Sequence, residues 1–275
     1  MRIARQNGRV KQTTIRVGIG GWSFAPWRET FYPDELPQNR ELEYASRQLD
    51  TIEINSTFHR SQKPVVFAKW RDDTPEGFLF SVKALAFATN RRVLAEGRQS
   101  LLNFLHGGVA ELGPKLGPIV WRFAPTKAFE RAEFTEFLET LPHDIDGLPL
   151  RHALDVRHPS FRRPEYIDLA RRHRAATVYS DADDSPKIAD ITGDFVYARI
   201  VVADGKLAKG FKAGVLDEIA DWARVWRDGG HPAALPLVDS GSPGSEPRDV
   251  FVYFINGAKE KAPLAAMALR KRLSS

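Results

Sequence analysis

Apolar residues along this chain form short runs, and polar residues follow most of these runs at their C-terminal ends. Runs of this length that are rich in Val, Ile and Phe and bounded by Gly, Pro or polar clusters are typical of buried strands. The pattern predicts eight strands, at residues 15–20, 51–55, 78–82, 118–123, 150–156, 176–180, 195–200 and 250–255.

The intervening segments mostly show helical periodicity, with breaks expected at Gly97, Gly107 and Gly108. Eight strands that mostly alternate with helices in about 250 residues predict an α/β fold of the TIM (β/α)8 type. The alternative is an open doubly wound sheet, but the first glycines lack the dinucleotide-binding spacing. The predicted helices are residues 39–48, 64–71, 91–112, 130–140, 164–173, 216–227 and 259–272.

The second predicted strand carries a carboxylate on an otherwise buried element. Side chains alternate between the faces of a strand, so Ile52 and Ile54 point one way and Thr51, Glu53 and Asn55 point the other. A carboxylate in such a position must be paired, hydrated or used in chemistry. Glu53 is therefore the first candidate for a functional residue.

Composition narrows the class of protein. The net charge of +5 includes four positive charges and no acid within residues 1–14, so the remaining body carries about +1. We expect residues 1–14 to be a disordered basic tail, 15–275 to be one barrel domain and 228–249 to be a flexible insertion. The absence of cysteine excludes disulfides and thiolate metal sites, and a cytoplasmic location is expected. No apolar run is long enough for a membrane span.

Polar side chains at the predicted strand ends are the candidate chemistry. In TIM barrels the C-terminal ends of the strands meet at one rim, which is where active sites are built. A packed barrel does not need charges there, so their convergence indicates a site. The residues are Trp22, Glu53, Asn55, Lys83, Arg122, Asp155, Arg157, His158, Asp181, Arg199 and Asn256.

Each catalytic candidate has a structural alternative. Glu53 could transfer a proton or simply hold the barrel mouth in an ion pair. Lys83 could form a Schiff base, bind an anion or neutralise Glu53 or Asp155. Asp155 and His158 could act as acid and base, or His158 could cap the turn that begins at Pro159.

Three further groups of residues are candidates for binding a metal, an anion or an aromatic ligand. Glu53, Asp155, His158 and Asp181 could bind a divalent metal, but their spacing matches no local motif, so no cofactor is predicted. A phosphate clamp of Arg199, Lys206, Lys209 and Lys212 has a solvated loop as its alternative. Four aromatic residues after the first strand could stack on a base or sugar, or plug the barrel: Trp22, Trp27, Phe31 and Tyr32.

Together these motifs resemble the domain of unknown function 72 family, also called YecE-like, from about residue 15 to residue 273. The resemblance implies a TIM barrel, no established activity, and a suggested similarity to endonuclease IV-like barrels. Asn90 and Val202 stand at or near positions where the family has histidine, and Arg122 stands where Gln is usual. The matching residues are Gly20-Gly21-Trp22, Trp27, Phe31-Tyr32-Pro33, 51–58, Trp70, Thr74-Pro75, 80–84, 155–160, Tyr197, Arg199, Phe254 and Asn256.

The leading hypothesis is an enzyme, a hydrolase, lyase or isomerase, that acts on a small anionic, phosphorylated or sugar-like substrate. Glu53 or Asp155 would move a proton, Lys83 and Arg199 would hold the anion, and Asn55 would orient it together with Asn256. Trp22, Arg157 and Asp181 complete the expected substrate contacts. The alternatives are a nucleic-acid-binding or repair protein and a barrel that binds a ligand without catalysis.

Overall fold

Eight parallel strands close into a barrel in the computed structural model, which describes residues 13–239, 241, 245–255 and 257–274. The barrel strands are β1 (Ile15–Gly20), β2 (Thr51–Ile54), β3 (Leu79–Lys83), β4 (Leu116–Arg122), β7 (His152–Asp155), β8 (Ala176–Ser180), β9 (Phe195–Ile200) and β10 (Asp249–Phe254). Their order around the barrel is β1, β10, β9, β8, β7, β4, β3, β2, so the predicted TIM-barrel fold is confirmed. A small antiparallel hairpin, β5 (Asp144–Ile145) and β6 (Leu148–Pro149), precedes β7.

Helices cover the outside of the barrel between most strands. The segment predicted as one helix at 91–112 is divided at its glycines, into a 3-10 turn at Leu94–Gly97, a helix, and a second 3-10 segment at Val109–Lys115. The fold departs from a full (β/α)8 pattern because residues 181–194, between β8 and β9, contain no helix. The helices are α1 (Glu41–Gln48), α2 (Pro64–Asp72), α3 (Ala86–Thr89), α4 (Arg98–His106), α5 (Arg131–Thr140), α6 (Pro164–Arg172), α7 (Ala213–Arg227) and α8 (Ala262–Leu273).

The two faces of the strands bury different kinds of residue. Ile52 and Ile54 join the apolar layer between barrel and helices, as the alternation predicts. Thr51 and Glu53 face the barrel interior, where Thr51 Oγ1 lies 2.7 Å from the Tyr253 hydroxyl. A separate interior cluster contains Tyr197 and Tyr253, whose rings stack with centroids 4.8 Å apart. The barrel interior is therefore partly a hydrogen-bonded polar layer.

The segment after α7 contacts the side of the barrel that lacks a helix. The carboxylate of Asp190 accepts hydrogen bonds from the backbone N–H groups of Val238 and Asp239, at 2.7 and 2.8 Å. Arg171 of α6 forms an ion pair with Asp239. Residues 1–12 lie outside the described part of the chain, and the predicted tail and insertion remain predictions. No helix among the described residues is both long and apolar enough to cross a bilayer.

The close approach of β1 to β2 requires a glycine at position 18. A Cβ on Gly18 would lie 2.0 Å from the backbone oxygen of Thr51, whereas a Cβ on Gly214 in α7 would meet no atom within 4 Å. We predict that Gly18→Ala lowers the free energy of unfolding by about 3 kcal/mol, because backbone atoms must move apart. The matched control Gly214→Ala should be neutral or stabilising by about 0.5–1 kcal/mol. Urea denaturation measures both, and equal midpoints for the two variants would contradict the prediction.

Candidate functional site

A cleft of about 440 Å3 opens at the C-terminal mouth of the barrel. Its walls come from the ends of β1, β2, β3, β4, β9 and β10, so chain segments distant in sequence converge as predicted. Among the described residues that line it, the charged side chains are all basic: Arg60, Lys83, Arg122, Arg199 and Lys259. The cleft is therefore suited to an anion.

A buried ion triad lies directly beneath the cleft. One guanidinium nitrogen of Arg199 is 3.2 Å from Glu53 Oε1, and the other is 2.5 Å from Asp155 Oδ2. Each of the three residues is at most 3% exposed. The hydroxyl of Tyr197 donates to Glu53 Oε2 at 2.7 Å and lies 2.9 Å from Ser81 Oγ. The triad thus joins β2, β7 and β9 across the barrel interior.

The two carboxylates of the triad stabilise the charged form of Arg199. Burial acts to lower the pKa of Arg199, but the carboxylates of Glu53 and Asp155 outweigh it and raise that pKa above its usual value. Burial raises the pKa of Tyr197 well above its usual value, and the charge of Glu53 adds to this effect. Tyr197 is therefore a hydrogen-bond donor to Glu53 at neutral pH.

Two more arginines surround Asp155 at longer range. Arg122 Nε lies 3.8 Å from Asp155 Oδ2, and an Arg157 nitrogen lies 4.0 Å from Oδ1. Arg157 also forms an ion pair with Asp184 and is not among the residues that line the cleft. Burial lowers the pKa of Arg122, with Asp155 acting in the opposite direction. Arg122, unlike Arg157, presents its charge to the cleft.

Lys83 differs from the neighbouring cations because it lacks a close carboxylate. Its ammonium is 3.5 Å from Asn55 Oδ1 and 4.2 Å from the centre of the Phe58 ring. Burial lowers the pKa of Lys83 to about 8, with Arg199 and Arg122 acting in the same direction and Glu53 opposing them. Lys83 is thus a lining residue that changes charge near neutral pH.

Other predicted site residues lie elsewhere. His158 Nδ1 accepts from the backbone N–H of Ser160 at 3.2 Å and lies 2.8 Å from its hydroxyl, so the histidine caps the turn at Pro159. Asp181 accepts from the backbone N–H groups of Val201 and Val202 at the end of β9. Neither residue is among those that line the cleft. Asn256 lies outside the described residues.

The four acidic and histidine side chains considered as metal ligands do not converge. Two belong to the Arg199 triad, while Asp181 accepts from backbone N–H groups that follow β9 and His158 accepts from the backbone of its own turn. Within the part of the chain that the structure describes, no three His, Asp or Glu residues form a group that could hold a metal ion. Lys206, Lys209 and Lys212 are solvent-exposed and outside the cleft lining, so they do not join Arg199 in a clamp.

The aromatic residues of the first loop have two different positions. Phe31 and Tyr32 pack in the core against Tyr44. Trp22 is partly exposed at the cleft, and its ring meets that of Trp70 edge to face with centroids 5.1 Å apart. Trp27 also lines the cleft, although it is 1% exposed. Of these four residues, Trp22 is therefore the one exposed enough to contact a ligand.

Several lining residues were not identified from the sequence. Arg60 follows β2 after a 3-10 turn, and Lys259 follows β10. Lys259 Nζ lies 4.4 Å from the centre of the Phe24 ring. Their signal was weak because exposed basic residues are common on loops. Tyr197, which donates to Glu53 beneath the cleft, was named in the family resemblance but was given no role in the site. Its position two residues before Arg199 places it on the same face of β9, which is a signal for such a role.

Comparisons with known proteins agree with this fold. A family model described as a protein of unknown function, DUF72, matches residues 16–275, which confirms the resemblance. UPF0759 protein YecE of Escherichia coli K12 is 28% identical over 149 residues, 54% of this chain and 50% of that protein. UPF0759 protein YunF of Bacillus subtilis 168 is 24% identical over 165 residues, covering 56% of this chain and 54% of the relative. The chain thus spans about half the length of the curated relatives it matches.

Two solved structures share the barrel over nearly their full length. A DUF72 family protein from Thermotoga maritima MSB8 gives a TM-score of 0.71 at 21% identity, covering 95% of this chain and 99% of that one. A DUF72 family protein from Enterococcus faecalis V583 gives a TM-score of 0.65 at 14% identity, covering 96% and 99%. At these identities the likeness concerns the fold.

We predict that Arg199→Met destabilises the protein by about 3–5 kcal/mol, because it leaves two buried carboxylates without their counter-charge. Urea denaturation at neutral pH measures the loss. The control Arg40→Met removes a solvent-exposed pair with Glu43 and should leave the midpoint almost unchanged. A similar midpoint for both variants would refute the importance of the triad.

Replacing Lys83 should stabilise the fold in a pH-dependent way. The pKa of about 8 lies below the roughly 10.4 of an unfolded lysine, so the folded state binds fewer protons between these values. The free energy of unfolding of the wild type should therefore rise with pH over that range, because the unfolded state binds more protons there. We predict that Lys83→Met raises the free energy of unfolding by up to about 3 kcal/mol below pH 8, and that the gain disappears towards about pH 10.

Urea denaturation of Lys83→Met and wild type at about pH 6.5 and about pH 9.5 checks the sign. Lys209→Met changes an exposed lysine outside the cleft and serves as the matched control. A gain that is equal at both pH values, or larger at the higher one, would contradict the prediction.

Proposed function

Because the chain belongs to the family of proteins of unknown function DUF72, whose description assigns no reaction, we propose a function from its cleft. We propose that the protein is an enzyme that acts on a small anionic substrate, such as a phosphorylated or sugar-like molecule, by proton transfer at the barrel mouth. The main support for this proposal is the cleft, whose charged lining residues, among those described, are all basic.

The charge balance supports an anionic ligand. Five basic side chains line the cleft, and the two carboxylates of the triad lie beneath it, which leaves an excess of three positive charges. Among the described residues, no ion pair involves Arg60 or Lys259. Unpaired cations that face one concave site attract phosphate or carboxylate groups.

The proposed roles follow from which groups can touch a ligand. Arg60, Arg122 and Lys259 would hold the anionic group, while Trp22 and Trp70 would pack against its uncharged part. Lys83 would transfer the proton, because a general acid or base works best when its pKa is near the working pH, and the pKa of Lys83 is about 8. Glu53 and Asp155 would act as positioning residues that hold Arg199 in place.

The size of the cleft favours a small molecule over a nucleic acid. About 440 Å3 lies within the range of roughly 300–1,000 Å3 typical of small-molecule sites. Nucleic-acid binding and ligand binding without turnover are the alternatives that the experiments below distinguish. We also propose a cytoplasmic location, in keeping with a sequence that contains no cysteine.

A thermal-shift screen tests the anion site. We expect small phosphorylated compounds to raise the melting temperature, because a ligand that binds only the folded state stabilises it. Neutral sugars and short DNA should have a smaller effect. Arg60→Gln should weaken the affinity for the best anion about tenfold or more, since it removes a charged hydrogen-bond donor. The control Lys209→Gln removes an equal charge outside the cleft and should bind as wild type does.

A second measurement separates an enzyme from a binding protein. The best ligand is incubated with wild type and with Lys83→Met, and its conversion is followed by mass spectrometry. Conversion by wild type that is lost in Lys83→Met while binding remains would support the proposal. Saturable binding without conversion would make the protein a binding barrel, and tight, salt-sensitive DNA binding would favour the nucleic-acid alternative.

A further inference from the structure

The cleft contains two primary amines in different surroundings. Among the described lining residues these are Lys83 and Lys259. Lys83, at the end of β3, is 7% exposed. Lys259 is less buried, and its Nζ lies 4.4 Å from the ring centre of Phe24 and 5.7 Å from that of Trp27. Only the first amine lies against the charged triad.

The triad leaves Lys83 without a counter-ion. Glu53 and Asp155 are the nearby acids, and Arg199 pairs with both. In the part of the chain described here, no carboxylate oxygen lies within 4.0 Å of Lys83 Nζ, and its polar contact is Asn55 Oδ1 at 3.5 Å. Burial without an ion pair disfavours the charged form of an amine and so favours the neutral form.

The surroundings of Lys83 lower its pKa, so its ammonium group loses a proton more easily than that of an ordinary lysine. Burial has the largest effect on its pKa, Arg199 and Arg122 lower it further, and Glu53 and Asp155 oppose them, which gives about 8. At pH 7 roughly one amine in ten is then neutral, compared with roughly one in 2,500 for a lysine with the usual pKa. The neutral amine is the nucleophile of lysine chemistry.

Resting on the anion site proposed above, we propose that Lys83 forms a Schiff base with a small anion that carries an aldehyde or ketone group. The neutral amine attacks the carbonyl carbon and a C–N bond forms. The carbonyl oxygen leaves as water with two protons, one from the nitrogen and one from solvent, and a protonated imine remains. Addition of water reverses the same steps.

The surrounding cations suit such a substrate. Arg122 and Arg60 line the same cleft as Lys83 and would hold the carboxylate or phosphate of the substrate while its carbonyl group faces the amine. A protonated imine withdraws electrons from the bonds next to it. Of the three reaction classes hypothesised from the sequence, this favours lyase and isomerase over hydrolase, and it narrows the substrate class to carbonyl compounds.

Borohydride trapping tests the proposal. The full-length protein is incubated with glyoxylate or with glyceraldehyde 3-phosphate, reduced with sodium borohydride, and mapped by peptide mass spectrometry. We expect Lys83 to be labelled at least about ten times faster than the exposed Lys209, because far more of its amine is neutral. Lys83→Arg should abolish this label, and Lys259→Arg should leave it in place. The stronger of the two probes identifies the anionic group that the site prefers.

Preferential labelling of Lys259, or equal labelling of all lysines, would overturn the proposal. Mapping of the wild type decides this even if a variant folds poorly.

Excess inorganic phosphate distinguishes failure of the Schiff base from failure of the anion site. If phosphate raises the melting temperature but Lys83 is not labelled, the Schiff base is wrong and the anion site stands. If Lys83 is labelled and phosphate does not slow the labelling, the amine chemistry stands and the anion site is wrong.

Discussion

The contact between Arg199 and the two carboxylates of Glu53 and Asp155 determines the character of the barrel mouth. Burying three charges is costly, and the cost is offset only where each charge has close, well-oriented partners. Here the guanidinium uses two different nitrogens for two acids, and Tyr197 donates to the remaining oxygen of Glu53. Because both acids are occupied, the other cations of the mouth face the cleft with an excess of positive charge.

The layer below the triad supports this arrangement. TIM-barrel interiors are usually filled by bulky branched side chains. In this barrel, hydroxyl groups from β2, β3, β9 and β10 meet in the interior instead, through the Thr51 contact with Tyr253 and the Ser81 contact with Tyr197. Ser81 also donates to the backbone oxygen of Pro118 at 3.0 Å. Hydrogen bonds have narrower geometry than apolar contacts, so this layer fixes Glu53 more firmly than packing alone would.

The alternation of polar and apolar residues and the lengths of the apolar runs were enough to predict most of the fold, because both patterns follow from which side chains are buried. The strands at 15–20, 176–180 and 195–200 have the predicted bounds, and Glu53 faces the interior as expected. The hairpin at 144–149 was missed because strands of two residues have no periodicity to detect. The choice of partners also depends on three-dimensional geometry: nothing local indicates that Arg199 binds both acids. The capping role of His158 was among the sequence alternatives because the proline that follows it marks a turn.

The missing helix between β8 and β9 affects the order in which the barrel can be completed. In its place, Asp190 binds backbone groups 48 and 49 residues further along the chain, and Arg171 reaches an acid 68 residues away. During synthesis on the ribosome these two neighbouring strands must wait for residues 238 and 239 to emerge before that outer contact can form. A late part of the polypeptide therefore completes the outer layer beside β8 and β9, and a nascent chain released before residue 238 would lack these contacts.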